Sequence, residues 1–232
     1  MAKALRADVV ELDPDDTQAT SRAEFAYAHL LDGIRRQILK PGERVREDEV
    51  SKRLGISRTP VRQALQRLET RGLLQQAPGR GLVVTELDRQ RLTELYAVRE
   101  LLEGAAARLA AQHASESDIA IMRDRLREFR SAAPDPEKLA LVNRLFHAAV
   151  HHAAHNRYLM QSLDDLRDTL ALLTGTTFSI KGRWKTELAE NLAVVDAIER
   201  RDADRAEAAA RHNMREAQKL RMLMLFSVPV GN

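Results

Sequence analysis

Cysteine is absent from the 232 residues, so disulfides, thiol catalysis and thiolate metal sites are excluded, and a reducing compartment fits. No stretch comes near the roughly 18 uninterrupted apolar residues of a membrane span. Nothing near Met1 resembles a basic region followed by an apolar run, as a secretion signal would. These absences lead to the expectation of a soluble, cytoplasmic protein with no membrane partner. The length admits one large domain or a small domain plus a medium one.

Net charge is also small, +3, but it is unevenly spread. Residues 1–20 carry two basic and five acidic side chains, residues 21–85 thirteen and seven, and residues 86–232 twenty-two of each. The basic excess therefore sits in one short segment, the footprint of a nucleic-acid-binding module. A solvated basic face would account for the charge equally well.

Residues 1–20, acidic and poor in large apolar groups, read as a mobile tail, with Ser21 in place to cap the helix that follows. Apolar residues Phe25, Leu30, Leu31, Ile34 and Ile38 then recur at helical spacing up to Leu39, and "KPG" at 40–42 stops that helix. A short amphipathic segment, Arg46 to Leu54, is closed by Gly55. Ser57 caps a further helix running to about Arg71, with Val61, Ala64, Leu65 and Leu68 on its buried face. "LLQQAPGRGLVVTEL" reads as a β-hairpin about a Pro-Gly-Arg-Gly turn. Helix, helix–turn–helix and hairpin in this order make a winged helix–turn–helix over residues 21–85. From residue 86 to 232 turn residues are scarce and helical periodicity dominates, broken at 113–117, 131–136, 155–158, 176–183 and 200–204. About six helices result, and short loops pack them as an antiparallel bundle. The expected fold class is mainly α, with a small β-hairpin wing.

The start of the second helix, "GISRTPVRQAL" at 55–65, carries more polar and basic groups than a core helix needs. In a helix–turn–helix the N-terminal residues of the second helix meet the bases of the major groove. Ser57 and Thr59 can donate to phosphate, helped by the free N–H groups and the dipole of the helix start. Arg58 and Arg62, four apart, share a face and can grip phosphate or a guanine edge bidentately. Pro60 is tolerated in a first turn, where its missing N–H would be unpaired. Gly79 and Gly81 allow a tight hairpin tip that presents Arg80. Ordinary capping of a solvated helix is the plain alternative, and the local charge and hairpin favour DNA.

"LKPGERVREDEVSKRLGISRTPVRQALQRLETRGLL" followed by "GRGLVV" resembles the DNA-binding domain of the GntR family of bacterial transcriptional regulators. The resemblance implies a homodimer on a short palindromic double-stranded operator. It assigns recognition-helix contacts to Ser57, Arg58, Thr59 and Arg62, and wing-tip contacts to Arg80 and Gly81. Asp48 stands where some relatives carry a DNA-touching arginine, so that contact is not carried over.

Residues 95–111, 143–156 and 194–214 resemble the all-helical effector domain of the FadR-like branch, an FCD-type domain that also dimerises. In many relatives that domain holds a divalent metal on an aspartate, a histidine four residues on, and two later histidines. Residues four apart share a helix face, and imidazole with carboxylate suits zinc or nickel. Here the matching positions are Asn143, His147, Asn191 and His212, two of them neutral amides, so metal binding should be weakened. His151 and His155 continue the Asn143–His147 stripe, as a substitute ligand or as partly exposed histidines. Arg99 matches an arginine that faces the effector pocket, although pairing with Glu103 is the simpler reading. Were Arg99, His147 and His212 to converge, they would form an electropositive cavity for a small carboxylate. Trp184, the one tryptophan, either closes that pocket or packs in the core.

The expected function is thus a ligand-responsive regulator, a repressor before an activator, answering an anionic metabolite. Two other readings compete: a constitutive DNA-binding protein whose helical half only dimerises, and a metal-dependent hydrolase. Against the hydrolase, no catalytic carboxylate pairs with the histidines, and there is neither a nucleophile elbow nor a phosphate-binding loop.

Overall fold

The structure, a computed structural model, describes the backbone of residues 14–226 and the side chains of residues 21–226. The chain divides into two compact units between Glu86 and Leu87. Among the described residues there are nine α-helices and one two-stranded sheet.

In the first unit, α1 spans Pro14–Arg35, α2 Glu47–Leu54 and α3 Arg58–Thr70. Helix α1 starts well before Ser21, so residues 14–20, read from sequence as tail, form its first turns, while residues 1–13 lie outside the described residues. That stretch holds no apolar stripe, and periodicity therefore could not register it. The helix buries Ala26, Tyr27, Leu30, Leu31 and Ile34, whereas Phe25 and Ile38 are more than half exposed. Ile38 lies beyond the helix end at Arg35, and Phe25 sits one residue off the buried stripe, about 100° round the axis. Helix α3 buries Pro60, Val61, Ala64, Leu65 and Leu68 against α1. Fully burying each large side chain contributes about 1.5–3 kcal/mol, so this face alone anchors α3.

The turn between α2 and α3 depends on Gly55, whose φ of +66° is left-handed and whose N–H donates to Ser51 O, a helix end that favours glycine. Strands β1 (Leu74–Ala77) and β2 (Gly81–Val84) pair antiparallel in the register Leu74↔Val84 to Ala77↔Gly81. The tip is a four-residue turn in which Arg80 N donates to Ala77 O at 3.0 Å. Pro78 and a positive-φ Gly79 fill its centre, the residues a type II turn asks for. Arg44 bridges to Val83 and lies along the second strand.

The second unit contains α4 (Arg89–His113), α5 (Glu116–Ala132), α6 (Pro136–Ala153), α7 (Arg157–Leu170), α8 (Arg183–Glu199) and α9 (Ala203–Phe226). A short 3-10 turn, Thr177–Ser179, precedes α8. The breaks read from the sequence fall at or within two residues of the helix junctions, except that α7 ends at Leu170, six residues before the break at 176–183. Capping accounts for four of the starts: Asp88, Ser115, Asp135 and Asn156 accept backbone N–H groups of α4, α5, α6 and α7, offsetting donors that a helix start leaves unpaired. The core joins alanines of α4 to Met122, Phe129, Leu139, Phe146, Val195 and Ile198. Trp184 packs partly buried against this cluster.

Candidate functional site

The candidate DNA face is built from the free start of α3 and the hairpin. Ser57 occupies the N-cap position in an extended conformation, yet its side chain makes no capping hydrogen bond. Ser57, Arg58 and Thr59 are exposed, as are Arg62, Arg80 and Gly81. Arg62 is held by Glu47 at the start of α2: Nε donates to Oε2 and Nη2 to Oε1, both at 2.9 Å. The Glu47 carboxyl is pushed down, first by its hydrogen bond to Arg62 and then, against some burial, by the charges of Arg62 and Arg58. Arg80 donates through Nη2 to Gly42 O at 2.7 Å, which ties the wing tip to the loop after α1. The Arg44 guanidinium lies 3.8 Å from where a Gly81 Cβ would stand. Arg44 and Glu47 carry no signal of their own in the sequence, because neither belongs to the helix marked by the "SRTPVRQAL" motif.

The second site is a polar centre inside the helical unit. Glu103 of α4 is buried, and its Oε2 accepts from His151 Nε2 at 2.8 Å and faces His147 Nδ1 at 3.3 Å, both histidines from α6. Its other oxygen accepts from Arg99 Nε at 3.2 Å. Burial by itself would raise the Glu103 pKa, but the charges and hydrogen bonds of His151 and His147 hold it well below the usual carboxylate range. Burial would likewise lower Arg99, and Glu103 with Tyr96 and Glu187 keeps it raised.

From the other side of the centre, α8 supplies a second ionic group. Arg183 grips Glu190 with Nη1 and Nη2 at 3.1 and 3.0 Å and also pairs with Glu187. Asn213 of α9 donates to Glu190 Oε2 at 2.9 Å and to Glu187 Oε1 at 3.2 Å. Asn191 donates to Asn143 Oδ1 at 2.9 Å. Three buried atoms here, His147 Nε2, Arg183 Nε and Asn213 Oδ1, have no hydrogen-bond partner among the described residues. Such groups are rare because leaving them bare is costly.

Four of the five effector residues read from the sequence, Arg99, Asn143, His147 and Asn191, reach this centre. His212 does not: it is exposed, and Asn213 points inward in its stead. Helix α9 buries Ala206, Ala210, Asn213 and Met214, and a shift of one residue turns a side chain about 100° away from that stripe. His155 also leaves the stripe, pairing with Asp118 at 3.0 Å. The centre is not lined by cations alone: three carboxylates, Glu103, Glu187 and Glu190, stand against the two guanidiniums of Arg99 and Arg183. Glu187, Glu190, Arg183 and Asn213 escaped the sequence reading, since inward charged groups look like any solvated position in a helix. Among the described residues, the metal-ligating side chains that converge are Glu103, His147 and His151, their donor atoms all within 4.8 Å of one another. The set Asn143, His147, Asn191 and His212 does not converge, and the Asn143 amide oxygen is already taken by Asn191 Nδ2.

Among the described residues, no helix is long and apolar enough to cross a membrane. Residues 22–84 match the family described as bacterial regulatory proteins, gntR family, and residues 94–216 match the FCD domain. The chain is 29% identical to an uncharacterized HTH-type transcriptional regulator, YdhC, of Bacillus subtilis, over 80% of this chain and 83% of that one. It is 32% identical to a probable D-xylose utilization operon transcriptional repressor of Paenarthrobacter nicotinovorans, covering 85% of this chain and 86% of the other. The solved structure of E. coli McbR/YncC has the same fold, with a TM-score of 0.72 at 23% identity, over 88% of this chain and 98% of that one. The chain belongs to the GntR family of bacterial regulatory proteins, with an FCD domain as its helical half, and is a DNA-binding transcriptional regulator and not an enzyme.

Proposed function

We propose that the protein is a ligand-responsive repressor, acting in the cytoplasm as a homodimer on a two-fold operator and released by a small metabolite bound in its helical half. Ser57, Arg58, Thr59 and Arg62 meet the major groove, and Arg80 and Gly81 meet the neighbouring backbone or groove. The observation that carries the sensing half is the polar centre. A bundle that serves only to dimerise has no use for five ionic side chains at its middle, together with three buried polar atoms lacking partners. Such groups cost stability unless something answers them.

The charge count constrains the ligand. The resemblance implies a divalent metal, and one carboxylate with two imidazoles is a donor set that suits zinc or nickel. Glu103, His147 and His151 would hold it, in place of the four positions inferred from sequence. Bound there, the cation would supply the positive charge and free coordination positions that a carboxylate effector needs. Arg99 alone cannot supply them, since Glu103 already neutralises it. An anionic effector therefore depends on the metal, with Asn143, Asn191 and Asn213 offering amide hydrogen bonds around it.

The test begins with a duplex selected from a random pool by the natural protein. Arg58→Ala and Arg62→Ala should each weaken binding to it roughly tenfold, with helical circular dichroism unchanged. A thermal-shift screen of organic and sugar acids, with and without zinc or nickel, should find an acid that raises Tm only with metal and releases the duplex. If no acid shifts either Tm or DNA affinity in the presence of metal, the protein is a constitutive binder.

A further inference from the structure

We infer that Glu47 is a specificity-determining positioning residue of the DNA interface, holding Arg62 by one edge so that it reads a base instead of gripping any phosphate. The inference rests on the reading of Arg62 as a base contact. Its evidence is the pairing itself: one carboxylate, from the first turn of α2, takes the Nε–H and one Nη2–H of a guanidinium one turn into α3.

Two consequences follow from guanidinium geometry. An arginine has five N–H donors in a planar fork. With Nε and one hydrogen of Nη2 taken, the end-on edge of Nη1 and Nη2 remains, and this is the edge that meets guanine O6 and N7. The side chain is more than half exposed, at 62%, and would otherwise sample many rotamers; fixing it beforehand reduces the ordering cost of binding. The second consequence is electrostatic. Non-specific affinity comes from phosphate neutralisation by basic side chains, and a guanidinium already paired with a carboxylate contributes little to it. Glu47 thus suppresses binding to wrong sequences while leaving the base-reading edge free.

The neighbouring acids supply a control. Asp48 and Glu49 open the same helix, but they pair with Arg46, at 3.5 Å each, and not with Arg62. Neutralising Asp48 changes the module's charge by the same amount and leaves Arg62 held. An alternative role for Glu47, stabilising the start of α2 through the helix dipole, would be shared by all three acids and would not involve Arg62.

The experiment compares the full-length natural protein with Glu47→Gln, Glu47→Asp, Asp48→Asn, Arg62→Ala and the double variant Glu47→Gln with Arg62→Ala. Affinity for the selected duplex and for a scrambled duplex of equal length is measured across a range of salt, alongside Tm. Glu47→Gln should tighten the scrambled duplex and steepen its salt dependence by about one unit per protomer. It should also lower the ratio of specific to scrambled binding by about tenfold. Glu47→Asp keeps the charge and the helix start but shortens the reach; it should lower the ratio without steepening the salt dependence. Asp48→Asn should move both duplexes together and leave the ratio intact. In the Arg62→Ala background, Glu47→Gln should no longer change the ratio. The inference is overturned if Glu47→Gln behaves as Asp48→Asn does, or if it shifts the ratio equally without Arg62. If Arg62→Ala itself leaves the ratio unchanged, it is the reading of Arg62 as a base contact that fails.

Discussion

Glu103 shows how a single buried charge organises its surroundings. Its carboxylate is 5% exposed, and three side chains from two helices answer it: Arg99 on one oxygen, His147 and His151 on the other. Breaking such a group by removing one partner leaves uncompensated charge, at a cost of about 3–5 kcal/mol. The same convergence is why Glu103, His147 and His151 are the proposed donors for a divalent ion, which gives a residue-level prediction. His151→Ala should lower retention of zinc or nickel at least about tenfold, an effect already reached when only a supporting partner of a ligand is lost. His212→Ala, on an exposed side chain, should leave retention unchanged. Elemental analysis of protein prepared without a histidine tag decides between them. Metal lost from His212→Ala and kept by His151→Ala would restore the donor set implied by family resemblance.

Among the elements, α5 shows most directly how local sequence holds a helix in place. Ser115 accepts from Asp118 N, and the Asp118 carboxylate accepts in return from Ser115 N at 2.8 Å, a reciprocal cap. His155, two residues past the end of α6, adds a contact to the same carboxylate. The Asp118 pKa is lowered, chiefly by the side-chain and backbone hydrogen bonds of Ser115, with burial opposing and His155 assisting. A carboxyl whose pKa is lower in the folded state contributes stability that is fully present above its unfolded value, and loses it as pH falls through the folded value. Asp118→Asn should therefore cost roughly 1 kcal/mol at pH 7, and the difference from the natural protein should shrink below about pH 4. Urea denaturation at pH 7 and pH 3 measures this. An equal difference at both values would show that the cap does not act through the charged carboxylate.

For the whole molecule, the relevant quantity is contact area on DNA. One winged module presents one recognition helix and one wing, and single modules of this size bury only about 600–1,000 Å². Selective binding then calls for two modules on two half-sites, spaced by a helical turn or its multiples. The prediction is a dimer at micromolar concentration by sedimentation, and a selected duplex with two-fold symmetry. A monomer that persists in the presence of that duplex would remove the dimer from the proposal.

The sequence by itself determined the elements and their order. Periodic apolar stripes, Gly55 and the Pro78–Gly79 turn act over a few residues, so they are legible locally. "SRTPVRQAL" was legible for the same reason, since the exposed groups at the start of α3 lie side by side in the chain. The polar centre was only half legible. Asn143, His147 and Asn191 could be aligned with a known pattern, but whether position 212 or 213 of α9 faces inward depends on how that helix is rotated against α4 and α8. One residue of rotation is about 100°, and no local signal sets it. Pairings such as Glu47 with Arg62, Glu103 with His151 and Asn213 with Glu190 join residues 15, 48 and 23 positions apart. Packing of separate helices creates those contacts, so the sign and partners of each charge were decided only by the tertiary structure.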